Sequence, residues 1–391
     1  MSYVDLSSPH VIADPYPTYA KLRRAGPAVQ VDPNGMWAVT GFEEVVEVLR
    51  RVDDFSSAPG EGDREQLFEK AFGGPNIIGA DNPTHNRLRY VMQGRFTPKY
   101  LARLQGRVEE LSRDLLGALA KRDSFDLVNG YTVPLPVIVI AELLGVEPDR
   151  VDDFKRWSNA LVAIVNAAEG EQRATAMAEV GELAQYLAGM ADRRRREPAD
   201  DLIGVLVEAE KEPGRISPGE VLSYCILLLA AGNETTTNLI GGLVNALAQN
   251  PEQLALVQED PSLIPNAVEE GLRYCSPVQG LFRRVRADTE LDGTIIPAGS
   301  RVWVSYAAAN RDPSRFPDPD RFDIRRDCRG HVAFGWGLHF CLGANLARRE
   351  ARVALEHLLP VLNEARLATP VEWLPSWVIR GPQALAFERA A

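Results

Sequence analysis

The sequence predicts a mainly α-helical protein with small β-sheets, built around one unusually long central helix. Three observations predict it. Apolar residues recur near 3.6 spacing from His85 to about Glu212. One helical stretch runs from about Pro218 to Asn250, which at 1.5 Å per residue gives a helix of ~50 Å. Strand-like runs are short and fall near the N-terminus, between Pro277 and Tyr306, and in the C-terminal tail.

Taken in order, Tyr16 to Arg24 reads as a helix closed by Gly26-Pro27. Val29 to Val31 and Met36 to Thr40 read as strands around the turn Asp32 to Gly35, and Phe42 to Arg51 as a second helix. Residues 56–84 are rich in Gly, Pro and acid and read as a long irregular loop. Asp192 to Asp201 is a charged surface segment broken by Pro198. The long helix has a marked start. Ser217 is its N-cap, Pro218 its first residue, and Glu220 completes a capping box. Its stretch Val221 to Ala231 is apolar on nearly all sides, so it should cross the core. An irregular Pro/Asp-rich stretch leads to Gly337, followed by a helix from about Leu342 to Leu359 and a β-like tail.

Composition narrows the function classes. A length of 391 residues suggests about two or three domains, though one large fold can absorb this much chain. The net charge of −11 argues against a nucleic-acid surface. The cysteines, Cys225, Cys275, Cys328 and Cys341, show neither an even ladder nor a CxxC pair, so a disulfide scaffold is not expected and a reducing cytoplasm fits. The N-terminus lacks the basic and apolar regions of a signal peptide. The longest aliphatic stretch, Ile226 to Ala231, is far short of the ~20 residues that span a bilayer, so no membrane association is expected.

The strongest local pattern is Phe334-Gly335-Trp336-Gly337-Leu338-His339-Phe340-Cys341-Leu342-Gly343. Its glycines permit tight or left-handed backbone before the cysteine. A helix begins just after Cys341, where orphan N–H groups favour a thiolate, and Gly343 leaves room for a flat group beside that helix. Read without context, Cys341 is as readily a buried structural cysteine. The segment nevertheless resembles, at every position, the haem-binding pattern Phe-x-x-Gly-x-(His or Arg)-x-Cys-x-Gly of the cytochrome P450 family, and the continuation Ala344 to Arg348 is similar to its soluble bacterial members. The resemblance runs from Asp14-Pro15-Tyr16-Pro17 to Arg380-Gly381. It implies one domain over residues 1–391, the P450 fold with its long helix over a buried haem b, and Cys341 as the iron's thiolate ligand. Phe334, Gly335, His339 and Gly343 would form the rest of the cysteine side of that site, His339 on a haem propionate.

Within the long helix, Ala230-Ala231-Gly232-Asn233-Glu234-Thr235-Thr236 puts a glycine and threonines where they cost helix stability. A Thr235 hydroxyl can bond back to the Ala231 carbonyl and bend the helix, which packing alone could also require. The segment resembles the family's Ala-Gly-x-(Asp/Glu)-Thr. That implies Ala231 and Gly232 beside the haem, Gly232 opening a slot for O₂, Thr235 bonding the oxygen, and Glu234 relaying protons. Glu270-Gly271-Leu272-Arg273 places acid and base three apart on one helix face. It resembles the family's buried Glu-x-x-Arg pair, with Arg321 as the expected third member. His85 and Arg89, four apart, resemble a propionate clamp. Arg283 resembles a third propionate residue, with Arg284 as an adjacent competitor.

By the same analogy the substrate pocket would be lined by Ile78, by residues around Leu161 to Val165, by Leu227 and Ala230, by Val278 to Phe282 including Leu281, and by Trp377 to Ile379 including Val378. The set is apolar and suits a hydrophobic small molecule. The expected activity is a monooxygenase inserting one atom of O₂, with electrons from NAD(P)H through a ferredoxin and its reductase. Arg325, Arg326, Arg329, Arg348, Arg349 and Arg352 flank the cysteine loop and are candidates for a docking face. A peroxide-driven haem peroxygenase and a non-catalytic haem-binding sensor are the alternative readings.

Overall fold

The computed structural model describes residues 3–60, 63, 66, 73–165 and 170–389, without the side chains of Val162 and Val165. The helix Pro218–Gln249 is the axis of the molecule. Ser217 Oγ accepts from the Glu220 N–H, and the Glu220 carboxylate accepts from the Ser217 N–H at 2.8 Å, so the expected capping box is formed. This helix packs against Pro134–Leu144, Ile264–Cys275, Gly170–Arg196 and Ala344–Glu364. Together they enclose the main hydrophobic core, in which Leu229, Ile226, Leu135 and Leu358 are fully buried.

A six-stranded sheet forms a second body. Its strands lie in the order Val4–Asp5, Val29–Asp32, Met36–Val39, Arg301–Val304, Leu281–Val285 and Phe55–Ser56. The first pair and the third pair, Met36–Val39 with Arg301–Val304, are parallel, and the remainder are antiparallel. The side chains of Leu281–Val285 alternate between the two faces of the sheet, the property that separates Arg283 from Arg284 below. A three-stranded antiparallel sheet joins Ala365–Leu367, Ala386–Arg389 and Ser124–Asp126.

Three elements differ from the sequence expectation. The strand Ser124–Asp126 interrupts a region read as helical, because its partner strand lies at the far end of the chain. The five-residue helix Tyr306–Asn310, N-capped by Ser305, falls in a stretch read as irregular and is too short to show a period. The helix after the cysteine starts at Ala344 and runs through Pro360 to Glu364, leaving Cys341 to Gly343 as a turn. Residues 61–62, 64–65 and 67–72 of the long loop lie outside the described residues. Among the described residues no helix is long and apolar enough to cross a membrane.

Candidate active site

The cysteine loop is held by its own backbone. Gly335 and Gly337 have φ of 70° and 66°, left-handed conformations that glycine adopts without strain. The Cys341 N–H donates to the Phe334 carbonyl at 2.9 Å, closing the loop on itself. Burial pushes the Cys341 thiol up, while the N–H groups of Gly343 and Ala344 and the charges of Arg89 and Arg348 pull it down. The expected helix-terminus effect is therefore present but smaller than desolvation. A coordinated metal would deprotonate such a thiol outright. A Cβ at Gly343 would meet only Cys341 Sγ, at 3.9 Å.

Four nitrogen-bearing side chains gather around this loop. His85 and His339 lie with ring centroids 4.4 Å apart. Arg89 donates to the Phe340 carbonyl at 2.9 Å. Arg283 is buried, shares a hydrogen bond with the Tyr306 hydroxyl, and is close enough to His339 to depress it. Burial, then Arg283 and His85, push the His339 imidazole down to about 3. The strand's alternation settles the competition between neighbours. Arg284 faces the other way, onto Asp63 at 2.7 Å and the Gly299 carbonyl at 2.7 Å. His85 and Arg89 owe their position to the residue between them, since Arg87 bonds Glu220 at 2.5 Å and the Arg215 carbonyl at 2.8 Å, tying the helix Thr84–Met92 to the start of the long helix.

On the long helix, every residue from Ser223 to Val244 is buried except Leu227, Ala230, Ala231, Gly232, Glu234 and Thr235. Apart from Gly232 they form one stripe at helical spacing. Thr235 Oγ1 donates to the Ala231 carbonyl at 2.7 Å, the back-bond its spacing allows. Burial raises the Glu234 carboxyl above the usual range, and Asn238 Nδ2, which donates to Glu234 Oε1 at 3.2 Å, offsets part of this. On its other side Gly232 faces Pro134–Leu144, where a Cβ would lie at ordinary contact distance, 3.4 Å, from Ile140 Cγ1, and Ala231 is the exposed residue of that turn.

The ion pair Glu270–Arg273 is completely buried, with Nε–Oε2 2.6 Å and Nη2–Oε1 2.8 Å. The expected third member is corrected. Arg321 is exposed and supplies only its backbone carbonyl, to Arg273 Nη2 at 3.3 Å. The second guanidinium on Glu270 is that of Arg326, at 3.4 Å, and the Asp323 N–H and Cys328 thiol complete the carboxylate's partners at 2.9 and 3.2 Å. Arg326 wins because the turn carrying it folds back under Glu270, whereas Arg321 points to water.

Of the expected pocket residues, Leu227, Ala230, Val278, Leu281 and Val378 are partly buried. Gln279 N–H donates to the Val378 carbonyl at 2.8 Å, so the two expected wall segments do meet. Trp377 is a second correction. Its ring packs on Phe282 and Trp303, each at 5.7 Å, within the cluster that holds Tyr19 and Leu22. An indole with two aromatic neighbours there buries its area against the sheet. Ile78 is exposed while Ile77 is buried. Leu161 lies in the main core, and the side chains of Val162 and Val165 lie outside the described residues. Several site neighbours had no sequence signal. Tyr306 and Ser57, whose Oγ lies 2.9 Å from His339 Nε2, come from distant segments. Asn238 could have been found from its position four residues after Glu234.

The donor set fits a flat, anionic, iron-bearing group. One thiol, two imidazoles and two guanidiniums surround one locus, and His85 Nε2 is buried with no hydrogen-bond partner among the described residues. A haem b with its two carboxylates would take these groups. The comparisons with known proteins agree. The family model described as Cytochrome P450 matches residues 155–362. The chain is 41% identical to Cytochrome P450 107B1 of Saccharopolyspora erythraea, covering 95% of this chain and 94% of that protein. It is 43% identical to the cytochrome P450 monooxygenase PikC of Streptomyces venezuelae, covering 95% and 90%. It superposes on the solved structure of the myxobacterial cytochrome P450 CYP267B1 in complex with myristic acid, with TM-score 0.90, 37% identity and coverage of 99% of each chain. The fold and site thus define a haem-dependent monooxygenase. The chain belongs to the cytochrome P450 family.

Proposed function

We propose that this monooxygenase hydroxylates or epoxidises a hydrophobic small molecule, with Cys341 as the iron's ligand and with electrons delivered from NAD(P)H by a ferredoxin and its reductase. The observation that carries this reading is the partly buried stripe of the long helix, the face that the core does not cover. It is apolar at Leu227, Ala230 and Ala231 and ends on an acid and an alcohol, Glu234 and Thr235. The myristic acid in the solved relative is an apolar ligand of the same character.

When bound, the haem supplies O₂ activation at a thiolate-ligated iron, from which one oxygen atom passes to the substrate. The chain's own residues do the rest. Cys341 Sγ would ligate the iron. His85, Arg89, Arg283 and His339 would hold the two propionates, where charge-assisted bonds are strongest. Thr235 spends its one hydroxyl hydrogen on the Ala231 carbonyl, so Oγ1 is left as an acceptor for a proton-bearing group above it. Glu234 Oε1 accepts from Asn238, which leaves Oε2 to carry and release the proton. Burial keeps that proton bound to a higher pH than on an exposed glutamate.

Electron delivery would use a narrower basic face than the six arginines suggest. Arg326 is committed to Glu270, Arg329 to Asp327, Arg348 to Glu269 and Arg349 to Gln105. Arg325 and Arg352 are the exposed members for which no such bond is seen among the described residues. The test is reconstitution with an acidic ferredoxin and reductase, using ligands first screened for a low-to-high-spin shift. Product carrying oxygen from labelled O₂, in step with NAD(P)H consumption, is expected. Turnover with peroxide alone would overturn the electron route, and spin shifts confined to polar ligands would overturn the substrate class. Reversing the charge of Arg352 should slow reduction and weaken its salt dependence.

A further inference from the structure

We propose that Glu269 is a positioning residue for the cysteine loop: its carboxylate fixes His331 and Arg348 around Phe334, and through Phe334 it fixes the backbone that presents Cys341. The inference rests on Cys341 being the iron's ligand.

Glu269 and Glu270 are neighbours on the helix Ile264–Cys275, and adjacent helical residues point about 100° apart. They therefore serve different places. Glu270 is consumed by Arg273 and Arg326. Glu269 reaches toward the cysteine loop, where Arg348 forms a two-pronged bond to it, Nε to Oε1 at 2.7 Å and Nη2 to Oε2 at 2.9 Å. His331 Nε2 lies 3.0 Å from the same Oε2. The Ala333 N–H donates to His331 Nδ1 at 3.2 Å, so Nδ1 is an acceptor and Nε2 must carry the hydrogen that goes to Glu269. Desolvation alone would raise the Glu269 carboxyl, yet His331 and Arg348 hold it down at about 2, so the charge that grips them is permanent.

Both gripped groups are walls of one ring. The Arg348 guanidinium sits 4.5 Å from the Phe334 centroid, the His331 ring 6.2 Å and the Phe340 ring 6.3 Å. The carbonyl of that same Phe334 accepts the Cys341 N–H at 2.9 Å. Replacing the Glu269 carboxylate by an amide removes the charge and turns one of its two acceptor oxygens into a donor, so Arg348 loses its two-pronged bond and is free to turn to water, and one oxygen is left for His331 and Arg348 together. The grip on the walls of Phe334 then weakens, and the loop it anchors loosens.

The test follows the thiolate-type ferrous–carbonyl band in haem-loaded wild type, Glu269→Gln, Arg348→Gln and the double variant in mild urea, with helical circular dichroism recorded alongside. Glu269→Gln is expected to speed conversion to the thiol-type band about tenfold, the effect of losing one charged, partly buried hydrogen-bonded group. Arg348→Gln should act similarly, the double variant should be no faster than the worse single one, and conversion should precede loss of helix. A rate within about twofold of wild type, additive single effects, or conversion that merely tracks unfolding would each overturn the inference. Should Glu269→Gln fail to load haem, Arg348→Met, which keeps its packing on Phe334, carries the same comparison. A wild type with no thiolate-type band would instead refute Cys341 as the ligand, and the inference with it.

Discussion

The cysteine side and the long-helix side of the site treat their polar groups in opposite ways. Around the cysteine, carboxylates are saturated. Glu270 is held by Arg273, Arg326, the Asp323 N–H and Cys328, and Glu269 by Arg348 and His331. On the other side Glu234 has one donor among the described residues, Asn238. The hydroxyl of Tyr224 and the side-chain oxygen of Asn238 are buried with no partner among the described residues. A saturated charge network is stiff and costly to disturb, whereas a group with spare bonding capacity can exchange a proton or take a ligand. Under the proposed function, one side would hold a geometry and the other would change protonation during turnover.

Five outcomes would break or sharpen that contrast. The largest is chemical: Cys341→Ser should abolish both the thiolate-type ferrous–carbonyl band and substrate oxidation, while far-ultraviolet dichroism shows the helices intact. Next, Glu270→Ala should cost about 3–5 kcal/mol in urea unfolding, because it strands the buried Arg273; a loss below about 1 kcal/mol would mean the network is ornamental. Glu234→Gln and Thr235→Val should leave unfolding almost unchanged and lower product formation about 10²-fold, the scale of one lost proton-transfer group. Equal losses of stability and activity would erase the distinction between the two sides.

The fourth outcome concerns an exception among the cysteine-side carboxylates. Glu350, on the helix after Cys341, is buried with Oε2 unpaired among the described residues, and burial pushes its carboxyl up to about 8. A folded-state value raised from 4.5 to about 8 means its stabilising contribution is complete below about 4.5 and is lost as pH rises toward 8. Glu350→Gln should flatten that decline and stabilise the protein by roughly 1–3 kcal/mol near pH 8, read as unfolding free energy against pH. The smallest effect belongs to Arg321→Ala, within about 0.5 kcal/mol of wild type, since its exposed side chain bonds none of the network; a larger loss would restore it as the third member.

Most of the frame was legible because local chemistry specified it. Ser217, Pro218 and Glu220 mark a helix start that the structure reproduces, and Pro251 ends what was read as 218–250 and is found as Pro218–Gln249. The Thr235 back-bond followed from helical spacing alone. What stayed hidden depends on segments without periodicity. Which arginine of an irregular stretch turns toward Glu270 is decided by the path of that turn, and so Arg321 was read where Arg326 stands. The family analogy puts Trp377 in the pocket, but an indole follows available aromatic area, which Phe282 and Trp303 supply. His331, Glu269 and Tyr306 reach the cysteine loop from separate elements, and no spacing rule connects them.

The contrast has meaning only if the saturated side exists to hold a sulfur on iron. X-ray absorption at the iron edge of the haem-loaded protein tests this directly. A single sulfur neighbour in wild type, absent in Cys341→Ser, is the predicted result. A coordination shell of nitrogen and oxygen alone, or one that the substitution leaves unchanged, would contradict it.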